Sequence, residues 1–580
     1  MGSRRRVIGH FCQSALWMLP VLIAGEALLA EEAEPAIPGY ADEEAFAQQL
    51  GELAASPFAR VESLGTTLGG REVKLVTVGQ GNADAKPALL VLGSVHPPMR
   101  VGSELAVRMA RRLVDDAEAG GAAAEILERV TVHFIPRPSP DACAAFSRRP
   151  FRERTKNLRP MDLDGDGEID EDGPEDLTGN GWIAQMRVED PAGEYIPHPA
   201  DDRVMIRADR TRGERGRYLL FPEGRDLDGD GEQSEDPPGG VAFNRNFTFN
   251  YPFFACGAGP HQVSEVETRA VADFAFDRTN LAALFTFTPE DNLMHLWRPS
   301  PQSDAARVKT AVHSDDAPYF ERLAERYREL IEAEDPPEST AGEGSVSEWA
   351  YFHFGRWSLA ARGWWIPQVA AGEEGEKEQG DEGQPPKTAS GSGDDRGAEE
   401  LNALRWFARE GIDGFIDWQP VEHPDFPDQK VEVGGFRPYY RWNPPAAELD
   451  ALAEKHHAFL TELVERLPRL ELAELEAEDL GHGVWRITAT VSNAGFLPTA
   501  SRMGEIAREP LPLQAEIELP EGAELVRGHP RVRIRRLLGS GDREEVVWMV
   551  HAPSAATVRV RAFSPSVGEV AGAVELTARD

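Results

Sequence analysis

Along the first two thirds of the chain, apolar runs alternate with stretches whose apolar positions recur every three or four residues. Residues 41–58 carry helical spacing, "REVKLVTVG" alternates like a strand, and "PALLVLGSV" is apolar nearly throughout, as a strand covered on both faces is. "SELAVRMARRLVDD" returns to the helical period, with its start expected near Gly102, and "RVTVHFIPRP" reads as another strand. Further strands are predicted at "ALFTFT" near residue 285 and at "WSLAARGWWIP" near 360. This order predicts an α/β domain with a parallel or mixed sheet. After the helix "AAELDALAEKHHAFLTELVERL" the period shortens. "VWRITATVSNAG", "LQAEIELPEGAEL", "REEVVWMVHAP" and "ATVRVRAFS" alternate apolar and polar positions between turn residues, which predicts a small antiparallel β-sandwich over 471–580 with its boundary near Leu470.

Two stretches fall outside these patterns. Residues 1–30 place "RRR" ahead of "ALWMLPVLIAGEALLA", an apolar segment interrupted by Glu26 and ending on a small residue. That predicts an export signal, with a retained membrane anchor as the alternative and a periplasmic, extracellular or cell-surface destination. No other stretch is apolar for long enough to cross a bilayer. Residues 371–400 hold ten acidic and three basic residues and no large apolar one, and are expected to be disordered.

Composition narrows the function classes. A length of 580 residues implies more than one core, and 41% hydrophobic with 28% charged residues implies a globular chain. A net charge of -38 opposes nucleic acid or an anionic membrane as partner and favours cations. Cys12 leaves with the signal; Cys143 and Cys256 form either one bridge or two separate buried thiols.

Two features carry chemistry. His96 stands where an apolar strand runs into a turn, a common place for a metal ligand. "DLDGDGEIDEDGP" from Asp162 and "DLDGDGEQSEDPP" from Asp226 repeat one another. Asp162, Asp164 and Asp166, and likewise Asp226, Asp228 and Asp230, are spaced as in the start of a calcium loop with its turn at Gly167 or Gly231. Gly173 and Pro237 stand where the closing glutamate is usual, so Glu171 and Asp172, or Glu235 and Asp236, are the candidates to close each loop. A solvated acidic turn is the competing reading.

Several stretches, in order, resemble the zinc carboxypeptidase family over roughly residues 41–470. These are "LGTTLGGREVKLVTVG", "GSVHPPM", "PSPDA", "FNRNF" at 243–247, "SEVETRAVADF", "ALFTFTPEDNLM" and "SEWAYFHFGRWSLAARGWW". The resemblance implies a mixed-sheet α/β domain, a zinc ion with three protein ligands and an open position, and a glutamate that activates water. It places His96 at the first ligand, Met99 at the second, Thr288 at the third and Arg362 at the glutamate position. Methionine sulfur is soft and neutral, a threonine hydroxyl stays protonated, and arginine repels a dication and accepts no proton. Zinc, the family's cofactor, is therefore not expected here, and His96 is expected to be a hydrogen-bonded histidine in a vestigial cleft. His295 is a candidate replacement ligand, although an odd spacing from Thr288 turns it to the other face of an uninterrupted strand.

The resemblance also assigns Asn244 and Arg245 to holding a peptide's terminal carboxylate and, more weakly, Arg154 to its scissile carbonyl. An internal ion pair of Arg245 with Glu265 or Glu267 is the structural alternative. Three functions follow: an exported pseudo-peptidase binding peptide or peptidoglycan-stem ends by their carboxylates, an active metallocarboxypeptidase with an unusual ligand set, or a structural or adhesion module with an idle cleft.

Overall fold

The computed structural model describes residues 34–577 apart from 163–166, 168, 171, 228, 230, 232, 234–238, 299–307, 340–341 and 371–395. The signal expected at 1–30 and most of the acidic stretch 371–400 lie outside the described residues. The end of that stretch departs from the expected disorder. Ala398 opens the helix Ala398–Glu410, and Glu399 and Glu400 sit in its first turn, where the helix dipole favours acidic side chains.

With strands numbered in chain order, the first sheet contains β1 (Ala59–Thr66), β2 (Glu72–Val78), β3 (Ala88–Leu92), β4 (Thr131–Ile135), β9 (Leu281–Phe287) and β10 (Trp357–Ala361). Their spatial order is β1-β2-β4-β3-β9-β10. The sheet is mixed: β3 runs parallel to both β4 and β9, and β10 parallel to β9, while β2 is antiparallel to β1 and β4. Every residue of β3, β4, β9 and β10 is buried, which explains their largely apolar texture. Phe285 of β9 packs against Phe287, Tyr327 and Phe459 at ring-centroid distances of 5.0, 6.5 and 5.5 Å. The helix Arg100–Glu118 begins two residues before the expected Gly102 and packs beside the helix Leu449–Glu465, which in turn meets Ala317–Ile331.

A second sheet was not anticipated by the periodicity. It is antiparallel and joins β5 (Gln185–Glu189), β6 (Tyr195–His198), β7 (Asp201–Arg207), β8 (Tyr218–Pro222), β11 (Phe415–Val421) and β12 (Val431–Phe436) in the order β11-β12-β5-β8-β6-β7. Charged side chains pair across its strands with little exposure. Arg187 of β5 donates to Glu432 of β12 at 2.9 Å and lies 4.4 Å from the ring of Trp418.

From Leu470 onward two four-stranded antiparallel sheets share one core. One contains β13 (Leu470–Gly481), β14 (Val484–Asn493), β18 (Asp542–His551) and β16 (Glu524–Arg527); the other contains β17 (Arg531–Arg533), β15 (Gln514–Glu518), β19 (Ala556–Ser564) and β20 (Gly568–Leu576). Ile487, Val491, Trp548, Val550, Val558 and Val560 fill the space between them. The unit is fastened to the α/β body through Asp316, which is fully buried. Its carboxylate accepts from the backbone N–H groups of Arg502 (2.7 Å) and Met503 (3.1 Å), from the Tyr351 hydroxyl (2.8 Å) and from Arg536 (3.3 Å).

Of the two sequence alternatives for the cysteines, the bridge is not formed. Both thiols are free, and only Cys143 is buried; Cys256 is exposed, 3.2 Å from the Lys156 ammonium. Among the described residues no helix is long and apolar enough to cross a membrane.

Candidate functional site

The cleft begins at the end of β3. A Cβ at Gly93 would lie 2.1 Å from the carbonyl oxygen of Pro136, so only glycine lets the chain leave the sheet here. Ser94 then shapes the turn, its hydroxyl donating to the Met99 carbonyl at 2.7 Å and accepting from the Ser103 N–H at 2.9 Å. Asn443, far along the chain, clamps the same turn by accepting from the Val101 N–H and donating to the Pro98 carbonyl, each at 2.8 Å. His96 is held against Trp442, ring centroids 5.2 Å apart. The expected hydrogen bond is not present: among the described residues the imidazole has a ring contact and no hydrogen-bonding partner. Burial, then the charge of Arg362, lowers its pKa to about 4, so the ring is neutral at pH 7.

Thr288 and Arg362 emerge side by side, because β9 and β10 are in parallel register and the Thr288 N–H donates to the Ala361 carbonyl at 2.8 Å. The Thr288 hydroxyl donates to the carboxylate of Glu290, which also accepts from the Asn244 amide at 2.9 Å. Burial raises the pKa of Glu290. The Asn244 oxygen in turn accepts from the Val346 N–H at 3.0 Å. Both ends of the Asn244 amide are thus engaged within the fold. Arg245 is 43% exposed and sits 3.7 Å from Glu343, not from the Glu265 or Glu267 anticipated as its internal partner. Glu265 instead takes Arg159 at 3.1 Å and Asn157 at 2.8 Å. Arg154 spends its guanidinium on backbone carbonyls: Lys156 at 2.8 Å, Gly239 at 3.0 Å and Asn157.

The donor set does not fit zinc. One neutral imidazole, one thioether and a hydroxyl already bonded to Glu290 face the permanent charge of Arg362. Among the described residues no group of three His, Cys, Asp or Glu side chains is placed to hold a metal ion. His295 is exposed, and β9 ends at Phe287, so the odd-spacing argument lapses across the turn that follows. What the strand ends frame instead is a cavity of about 340 Å³ lined by Met99, Arg362, Trp364, Trp365, Arg441 and Trp442. Arg362 donates to the Glu338 carbonyl at 2.9 Å, while its Nε is buried without a partner.

Sequence reasoning missed Trp442, Asn443 and Glu290, which no local motif marks. It also missed Glu348 in "SEWAY", whose Oε2 accepts from Ser345 at 3.1 Å and whose Oε1 is unpartnered. Burial raises its pKa to about 8.

Asp164, Asp166, Asp228 and Asp230 of the acidic loops lie outside the described residues. The described parts match one another: Asp162 accepts from the Gly167 N–H at 3.1 Å and Asp226 from the Gly231 N–H at 2.9 Å, both glycines at positive φ. Buried Asp172 accepts from the Leu227 N–H at 2.6 Å, which ties one loop to the other.

Comparison with known proteins matches residues 44–165 to the family described as zinc carboxypeptidase, and residues 469–575 to a domain of unknown function, DUF8731. The first match takes in His96, Met99 and Arg154 and ends before Asn244, Thr288 and Arg362. Carboxypeptidase SOL1 of Arabidopsis thaliana is 30% identical over 113 residues, 19% of this chain and 22% of that protein, so the chain spans about a fifth of the relative it matches. Among solved structures, the carboxypeptidase A of Helicoverpa armigera is 14% identical, with 54% of this chain and 61% of that one covered at a TM-score of 0.34. A metallo-carboxypeptidase of Burkholderia cenocepacia is 15% identical, with 55% and 59% covered at 0.32.

Proposed function

We propose that this chain, which belongs to the zinc carboxypeptidase family, is an exported protein that holds the free carboxylate end of a peptide or peptidoglycan stem without hydrolysing it. The observation that carries this reading is Arg362. A guanidinium stands at the end of β10, where the family resemblance places a glutamate. It lies in one cavity with Arg441 and three tryptophans, beside a donor set unsuited to zinc. Arg362 commits one N–H to the Glu338 carbonyl, its terminal N–H groups suit a carboxylate through charge-assisted hydrogen bonds, and indole walls accept the apolar remainder of a peptide. Arg245, half-exposed and only loosely paired, is a second cation for the same end group. Asn244 is a weaker candidate because its amide is already engaged.

The test is calorimetric titration with a short peptide and its amidated twin, together with elemental analysis of protein purified without chelator. The free-acid peptide binds, the amide binds at least about tenfold more weakly, and Arg362→Gln or Arg245→Ala reduces the difference. One zinc per chain, with hydrolysis lost in His96→Ala, establishes the active enzyme instead. No discrimination by any peptide leaves a structural module with an idle cleft.

Calcium at the paired acidic loops is the second part of the reading, favoured by the matching Asp162 to Gly167 and Asp226 to Gly231 hydrogen bonds. An ion bound only by the folded state at ten times its dissociation constant adds about 1.4 kcal/mol. Melting in calcium and in chelator checks this, and Asp164→Ala with Asp228→Ala removes the gain.

A further inference from the structure

Beside the cleft, between the second sheet and the α/β body, lies a larger cavity of about 550 Å³. In a chain of net charge -38, its walls carry Arg152, Arg154, Lys156, Arg203, Arg437 and Arg441 against only Glu153 and Glu400. Most of these cations are already matched. Arg203 pairs with Asp201 at 2.6 Å, Arg437 with Asp413 at 2.5 Å and Arg441 with Glu400 at 3.3 Å, while Arg154 is held by backbone carbonyls. Lys156 sits beside Cys256. Arg152 differs: among the described residues its guanidinium has no ion pair and no hydrogen bond, although it is half-buried. Burial lowers its pKa, and the more distant Tyr439 and Asp170 offset this only in part. Val204, Leu220, Phe415 and Phe436 add apolar surface to the lining, with Arg203 over the Phe415 ring at 5.7 Å and Arg441 over the Phe436 ring at 4.8 Å.

The two cavities are neighbours. Arg441 lines both, and Trp442 of the cleft donates its indole N–H to Glu153 of the larger cavity at 3.2 Å. A peptide whose last carboxylate lies at Arg362 can extend past Arg441 into the larger cavity. One unpaired guanidinium fork suits one carboxylate, whereas a dianionic phosphate needs more free donors than the matched arginines leave.

We propose that this cavity receives an acidic side chain upstream of the bound chain end, so that Arg152 selects peptides carrying glutamate or a similar carboxylate over their neutral counterparts. The proposal rests on the carboxylate-end reading of the cleft, and the experiment separates the two. Alanine tripeptides with one glutamate at either upstream position, and their glutamine twins, are titrated into the full chain as free acids and as amides. The glutamate peptide is expected to bind at least about tenfold more tightly than its glutamine twin. Arg152→Gln is expected to abolish that preference and keep the discrimination between free acid and amide; Arg152→Lys, which retains charge but loses the fork, keeps part of it. Equal binding of the glutamate and glutamine peptides, or a preference that survives Arg152→Gln, overturns the proposal. If no peptide binds, the cleft reading fails on its own, and titration with glutarate and inorganic phosphate decides for the cavity. Glutarate binding that Arg152→Gln removes supports a carboxylate site, and no glutarate binding, or phosphate binding alone, overturns it.

Discussion

The two sheets of the α/β body bury their strands in opposite ways. In the mixed sheet, β3, β4, β9 and β10 are buried along their whole length and largely apolar, and they hold strand ends in fixed register. In the antiparallel sheet, arginines and carboxylates pair across strands, and Arg203 and Phe436 of that sheet line the larger cavity. The mixed sheet thus fixes register through buried packing and the antiparallel sheet through cross-strand charge pairing, so mutations in the two should fail differently.

The largest effect belongs to the mixed sheet. Phe285→Ala removes a ring packed among Phe287, Tyr327 and Phe459 and is expected to cost about 3–5 kcal/mol, measured by chemical denaturation. If it costs no more than a surface change, the sheet is not the rigid member.

Next comes the buried acid packed against that sheet. Glu348 has a pKa raised to about 8 from an ordinary 4.5, so between those values the folded state binds a proton that the unfolded state has released. Stability attributable to this group is complete below the ordinary value and declines as pH rises toward 8, by no more than about 1.4 kcal/mol per pH unit. Glu348→Gln should flatten that decline in melts taken from pH 5 to pH 8; an unchanged slope refutes the assignment.

The smallest effect lies in the antiparallel sheet. Arg187→Ala breaks the hydrogen bond to Glu432 and the contact with Trp418, but Lys430 still reaches Glu432 at 2.8 Å. A loss of about 1–2 kcal/mol is expected. A loss as large as that of Phe285→Ala would erase the distinction between the sheets.

Strands β3, β4, β9 and β10 were legible because full burial leaves a largely apolar run, and β2, β14, β15, β18 and β19 from their alternation, whereas β1, at the sheet edge with no fully buried residue, was not read as a strand. The second sheet was not legible. Its partner strands β5 and β12 are separated by more than two hundred residues, and its charged positions read as loop until Arg187 meets Glu432. The same holds at the cleft. Thr288 and Arg362 were placed by the family resemblance, whose motifs fall at the ends of β9 and β10. Nothing near Asn244 announces that Glu290 takes its amide, and nothing near His96 announces Trp442.

Asp316 gives the molecule a load path. Its carboxylate grips two peptide N–H groups of the Arg502–Ala507 helix and, on the other side, the Tyr351 hydroxyl, one turn along the same short helix as Glu348. Tension applied to the C-terminal unit is shared between that joint and the short covalent link, residues 466–469, between the helix Leu449–Glu465 and β13. Shearing it exposes a buried charge and strands donors on both sides at once. The joint therefore yields abruptly rather than creeping, and the body and the C-terminal unit respond to force as one piece until it does.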